Sequence, residues 1–175
     1  MKDINYRKHP HNKVAQWMFD VLFKGSLFLH KNPVVYWILQ CTWGLLYNII
    51  GGFIALFTLC TKGKPYKFHR GYIILWGNNW GGLELGTGAL VANKMGDSWT
   101  FHTCCHEMGH CYQSALLGPL SIFLIAIPSM IRYWYREFSK KNQPSYDAIW
   151  FEESASAIGG YLYGEVELEK IYPNK

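Results

Sequence analysis

The first sustained pattern in the chain is Val14, Trp17, Met18, Val21 and Leu22, spaced i, i+3, i+4, i+7, i+8. That spacing is the apolar stripe of a helix. Lys13, Gln16, Asp20 and Lys24 fall largely off the stripe. Such a helix packs on a core or lies in a membrane interface. Residues 1–13 before it are polar and basic and read as a flexible or surface-lying start. Asn32-Pro33 marks a boundary. From Val34 to Thr61 no charged residue occurs, a run longer than the roughly 20 residues that cross a hydrocarbon core as helix. Tyr36, Trp37 and Trp43 suit an interfacial belt, whereas Gln40, Asn48 and Gly51-Gly52 interrupt the run. Three arrangements fit: one tilted span, a re-entrant or interfacial hairpin bent near Asn48 to Gly52, or a buried core helix.

Lys62 to Arg70 contains Gly63 and Pro65 and reads as a loop. Tyr72 to Trp76 predicts a short buried strand, followed by a turn from Gly77 to Gly82. Leu83 to Leu85 and Gly88 to Val91 alternate weakly, as in an edge strand broken at glycines. After a turn at Asn93 to Ser98, Asp97 or Ser98 is placed to cap a helix that reaches about Leu117 and stops at Gly118-Pro119. The uncharged stretch Cys111 to Ile131 is broken there and again at Pro128. It predicts a core or membrane-facing helix from about Leu120 rather than a continuous span. Arg132 to Arg136, with Tyr133, Trp134 and Tyr135, makes a basic aromatic girdle at its end. A polar loop, Lys140 to Pro144, leads to a last helix from near Tyr146 through Gly160, which the acidic tail Glu165 to Glu169 extends or frays.

Composition adjusts this picture in three ways. At 175 residues the chain has the length of one domain with a real core. The net charge of +5 fits a solvated basic surface or an anionic membrane surface. The basic residues do not form the dense single-faced cluster that nucleic acid requires. Basic residues flank the apolar run on both sides, Lys24 and Lys31 before it and Lys62, Lys64, Lys67 and Arg70 after it. This fits a hairpin with both ends on the cytoplasmic side and gives no orientation for a single span. The five cysteines, Cys41, Cys60, Cys104, Cys105 and Cys111, are odd in number. With two adjacent, they suit a reduced compartment rather than a disulfide framework. No cleavable leader pattern opens the chain.

The chemistry concentrates at His106-Glu107-Met108-Gly109-His110. On a helix, i and i+4 share a face, so His106 and His110 can converge on one metal. Two imidazoles suit zinc, which acidifies a water, and Glu107, one step round the helix, is placed to take the proton. A catalytic zinc wants a third protein ligand and an open fourth position. Glu152 and Glu153 are the candidates, in a segment whose small residues at 154–157 permit close helix packing. His102 lies on the same stripe, but three ligands along one straight helix span roughly 12 Å, too far for one ion. Cys104, Cys105 and Cys111 are poorly spaced for the site and read as buried, inert thiols.

This arrangement resembles the gluzincin metallopeptidases. It is similar, more narrowly, to small bacterial proteins of zincin type through His106 to His110, Gln113-Ser114, Leu117-Gly118-Pro119-Leu120 and Ile127-Pro128-Ser129. The resemblance covers about residues 81–160. It implies Glu152 as the third ligand, since Ala155 and Gly159 then fall at the spacings of that helix. Glu153 is the alternative. Ser156 stands where the family often has an Asp that supports a ligand histidine, and it brings no charge. The resemblance further implies an edge strand, here Gly82 to Val91, that pairs with an extended peptide. It implies too an oxyanion-stabilising group, for which Tyr112, Tyr146, Tyr161 and His102 are candidates.

The expectation is an α-dominated α+β chain in which a small sheet precedes a zincin-like metal-bearing helix. Residues 1–65 form the basic start, amphipathic helix and apolar membrane-associated segment. Residues 66–175 form the catalytic region, facing the cytoplasm. The expected activity is zinc-dependent hydrolysis of a peptide or protein substrate beside membrane lipid, without nucleic acid. A membrane-embedded scaffold with a structural metal, and a hydrolase of non-peptide amides or lipids, are the rival readings.

Overall fold

The structure, a computed structural model, describes residues 12–77, 81–94, 96–139 and 144–164. Most of the basic start, part of the turn after Gly77, most of the loop at 140–144 and the acidic tail lie outside these. The fold is α+β and helix-dominated with one small sheet. Helix α1 (Lys13–Lys31) is capped by Asn12, whose side chain accepts from the Ala15 N–H. It runs a further turn and more past the expected stripe, and of that stripe only Leu22 is buried, with Val14, Trp17 and Val21 exposed. Its inner face, with Phe19, Leu22, Phe23 and Leu29 buried, packs on the two helices that carry the site. Residues from before and after position 65 therefore share one core.

The apolar run is two helices, α2 (Pro33–Cys41) and α3 (Leu45–Thr61), meeting at 81°. No single described helix is long and apolar enough to cross a membrane. The bend falls at residues 42–44 and not at Asn48 to Gly52. The reason is a buried amide pair. The Gln40 side chain donates to the carbonyls of Gly86 and Cys111, and Asn48 donates to Gln40 Oε1 at 2.7 Å and to the Gly44 carbonyl. Asn48 thus secures the first turn of α3 instead of breaking it.

The sheet runs in the order β1-β2-β4-β3 (Lys64–Phe68, Gly71–Leu75, Gly88–Val91, Gly82–Glu84). β2 and β4 are parallel; the outer pairs are antiparallel. Two expectations need correction. Lys64 to Phe68 is a strand, because it pairs in register with β2 across His69-Arg70, although its side chains are mostly exposed and carry no alternation. The edge beside the site is β3 alone. β4 lies inside the sheet with all four residues buried.

Helix α4 (Asp97–Leu117) follows, then a π-helical turn (Ile122–Ala126) that runs into α5 (Ile127–Phe138), and finally α6 (Trp150–Leu162). Pro128 sits at the start of α5 and offers no N–H, so the wider turn before it absorbs the break. α6 begins four residues later than expected. Residues 145–148 form a turn, held by Arg132, which donates to the carbonyls of Ser145 and Tyr146.

Candidate metal centre

α4 and α6 pack more closely than ordinary side chains allow. A Cβ on Gly109 would collide with the Ala155 backbone, and one on Gly159 with the Cys105 carbonyl. This closeness brings the His106/His110 face within reach of the first turn of α6. His106 Nε2 and His110 Nε2 each lie 3.1 Å from Glu152 Oε2 and 3.2 Å from one another. Three ligand atoms bound tetrahedrally at about 2.1 Å lie about 3.4 Å apart, so this triangle is within a few tenths of an ångström of a zinc-sized cradle. The buried group of His106, His110 and Glu152 could hold a metal ion. Glu153 is buried one step round α6 and its carboxylate does not join the group.

The far ring nitrogens fix how the imidazoles present themselves. Gln113 Nε2 donates to the Phe151 carbonyl at 2.9 Å and to Ser154 Oγ at 2.8 Å. Its Oε1 must therefore accept from His110 Nδ1–H, at 2.7 Å. That leaves His110 Nε2 as the free ligand atom. His106 Nδ1 pairs with Ser156 Oγ at 2.7 Å, the position expected to support a ligand without charge. Two Nε2 atoms at 3.2 Å cannot both carry a proton, so the triangle is short of hydrogens for its three acceptors. Burial would lower the His110 pKa, but the Glu152 carboxylate outweighs it and pushes the imidazole up to about 9. Burial would likewise raise Glu152, and the His110 charge with bonds from both histidines holds it well below the usual carboxylate range. A divalent cation would take over the role of the shared proton.

Glu107 projects beside the triangle into a cleft of about 630 Å³. Its carboxyl rests against Gly82, where a side chain would leave no room, and it accepts the Glu84 backbone N–H. Burial raises its pKa above the ordinary value against the pull of His106 and His110. On the other side of β3, Ala92 N donates to Gly81 O and Leu85 N to Gly88 O. By the alternation of an antiparallel ladder, Gly82 and Glu84 turn their backbone groups outward, toward Glu107 and the cleft.

Tyr146 and His102 line the cleft, and the Tyr146 hydroxyl is 2.7 Å from Ser129 Oγ. Tyr112 does not belong here: it is buried in the core with its hydroxyl on His30 Nδ1. Tyr161 packs on Phe23 and lies apart from the cleft as well. Cys104, Cys105 and Cys111 are buried thiols outside any disulfide, and burial pushes Cys104 up to about 12. Sequence reasoning assigned no role to Tyr47, Glu84 or Gln113. Gln113 was legible in principle, as the residue one turn past His110 on the ligand face. Tyr47 and Glu84 come from distant elements and carried no signal. Glu84 is fully buried, takes hydrogen bonds from Ser114 Oγ and the Gly86 N–H, and is pushed up to about 6 by that burial.

The chain matches no family model, no curated protein and no solved structure.

Proposed function

We propose that the chain is a zinc-dependent hydrolase of gluzincin type that cleaves peptide bonds, with His106, His110 and Glu152 as the metal ligands and Glu107 as the general base. The observation that carries this reading is the three convergent acceptor atoms 3.1–3.2 Å apart with a second carboxylate, Glu107, beside them at a cleft. A His₂Glu set with one side facing a cleft is a catalytic zinc pattern; a structural site is closed by a fourth protein ligand. Zinc held there would polarise a carbonyl and acidify a water. Glu107, its pKa raised by burial, would accept the proton from water and pass it to the departing nitrogen. The outward backbone groups of β3 are placed to pair with an extended substrate. The Tyr146 phenol faces Glu152 and Glu107 and is placed to donate to the developing oxyanion.

Metal content by mass spectrometry tests this directly. One zinc per chain is expected in wild type and in Glu153→Ala, and none in His106→Ala or Glu152→Ala. Glu107→Gln should keep its zinc and lose about 10²- to 10⁴-fold in peptide turnover. A folded wild type that takes up no zinc when it is supplied would end the reading. The apolar walls of the cleft, among them Leu83, Trp99 and Ile125, also favour a non-peptide amide of lipid-like character. That rival predicts Glu107-dependent turnover of such amides and none of peptides.

A further inference from the structure

α3 is built inside out for a helix that faces water. It buries only Gly51, Ala55 and Thr58, small residues about a turn apart. Gly51 is seated so tightly that a Cβ would strike the Leu85 backbone. Its large apolar residues point away from the protein: Phe53 is 71% and Phe57 73% exposed, with Leu46, Ile49, Ile50 and Leu56 beside them. Small residues inside and bulky apolar residues outside is the pattern of helices whose surroundings are lipid. The π-helical turn and α5 share its outer half, bulky apolar residues turned outward, although the turn buries Ile125. α5 buries no residue, and Phe123, Leu124 and Ile131 are exposed.

These two surfaces are connected and flank one opening. Trp43, at the α2–α3 corner, donates to the Leu116 carbonyl and packs against Gly118, just before the π-helical turn. Tyr47 of α3, and Ile125, Met130 and Trp134 from the other segment, line the cleft that holds the candidate metal centre. Charge adds a second, independent pointer. No Asp or Glu occurs between Asp20 and Glu84, whereas exposed Lys62, Lys64 and Lys67 follow α3 at once. Arg132 and Arg136 on α5 are spent on the carbonyls of residues 144–146, so the lysines carry the charge. A cluster of lysines beside the uncharged apolar face of α3 complements anionic headgroups above acyl chains. A second copy would cover one stripe of α3 and would bring these lysines no acidic patch from the same region. The 81° corner between α2 and α3 lets the pair lie in one leaflet, as neither crosses a bilayer alone.

We propose that the chain docks on an anionic lipid bilayer through α3 and the π-turn–α5 segment, with the cleft mouth against the membrane. Its substrate is then an apolar segment held at the bilayer surface, a second half that rests on the hydrolase reading. Docking itself does not.

Flotation with vesicles tests the docking without any turnover. The full chain, carried in mild detergent, is diluted into vesicles of phosphatidylcholine or of equal phosphatidylcholine and phosphatidylserine. Wild type should float with both and bind the anionic vesicles more tightly. Phe53→Ser/Phe57→Ser and, separately, Phe123→Ser/Ile131→Ser should each weaken binding by more than about tenfold, since two apolar side chains leave the lipid. Lys62→Glu/Lys64→Glu should abolish the preference for anionic vesicles and keep neutral binding. Circular dichroism and thermal unfolding of each variant report that the fold survives. The docking proposal is overturned if wild type does not float, or if both apolar double variants float as wild type does. It is overturned too if these variants convert a lipid-free dimer to monomers without changing vesicle binding. For the substrate half, one peptide library is offered free in solution and tethered to vesicles by an acyl chain. Turnover at least about tenfold faster on the vesicles, lost with the Phe53/Phe57 variant, is expected; equal turnover of the two overturns that half. A chain that floats but binds no zinc overturns the hydrolase reading alone.

Discussion

α6 meets α4 through Ala155 and Gly159, and α3 meets the sheet region through Gly51 and Ala55. Both contacts use small residues to bring backbones close, and their outcomes are opposite. Between α4 and α6 the closeness encloses polar groups: Glu152, Gln113 and Ser154 have essentially no exposure. Each is held by hydrogen bonds that aim the histidines at one point. On α3 the close stripe is Gly51, Ala55 and Thr58, with the Thr58 hydroxyl spent on the Ile54 carbonyl of its own helix, and the bulky residues are turned out. The same device therefore builds a rigid cage of groups that could hold a metal ion in one region and, in the other, an apolar surface anchored by its narrow side.

The largest effect that tests this contrast is expected at Gly159. Helix propensity alone would make Gly159→Ala more stable by about 1 kcal/mol. The new Cβ, however, meets the Cys105 carbonyl, a backbone atom that cannot swing aside. We expect a net loss of about 3 kcal/mol in denaturant unfolding, with zinc binding lost alongside, since overpacking a rigid contact dominates. Unchanged stability would mean that α4 and α6 are not locked together as described.

Next comes Gln113→Leu, which removes the acceptor for His110 Nδ1–H without touching a ligand. Zinc affinity should fall about 10- to 100-fold in competition with a chelator, as outer hydrogen-bond partners of metal histidines do. An unaltered affinity would show that the Gln113 bond does not orient His110.

The third test uses Glu84. Its folded pKa, about 6, lies above the ordinary 4.5, so the folded chain holds the proton more tightly than the unfolded chain does. The sign follows: the Glu84 contribution to metal-free stability is fully present below about 4.5 and is lost as pH rises through about 6, by about 2 kcal/mol in all. Unfolding midpoints across that range should show this slope in wild type and lose it in Glu84→Gln.

The smallest effect belongs to the outer helix. Gly52 has no atom within 4 Å of an added Cβ. Gly52→Ala should stabilise the fold by about 1 kcal/mol or less, the reverse of Gly159→Ala, read from the same unfolding curves. A loss at Gly52 would mean that something covers this face in the free chain.

Periodicity and local chemistry made much of this molecule legible. The helix from Lys13, the strand at Tyr72, the helix ending at Gly118 and the His106/Glu107/His110 face all depend on spacing along a single element, although on the first the buried stripe is not the expected one: Val14, Trp17 and Val21 are exposed, and Ala15, Phe19, Leu22 and Phe23 are buried. Such spacing survives whatever the rest of the chain does. Lys64 to Phe68 was illegible because a strand with exposed side chains is held by backbone pairing with β2, which leaves no mark in residue type. The bend at residues 42–44 was misplaced because Asn48 acts through a distant amide, Gln40, rather than as a local breaker. The choice of Glu152 over Glu153 turns on which face of α6 meets α4. Two adjacent carboxylates look alike in sequence, and only the Gly159–Cys105 approach decides which one is aimed inward. The apolar run declared its hydrophobicity at once. That its bulky side chains turn outward was decided by tertiary structure, because the small stripe Gly51, Ala55, Thr58 is the only face that fits against the sheet region.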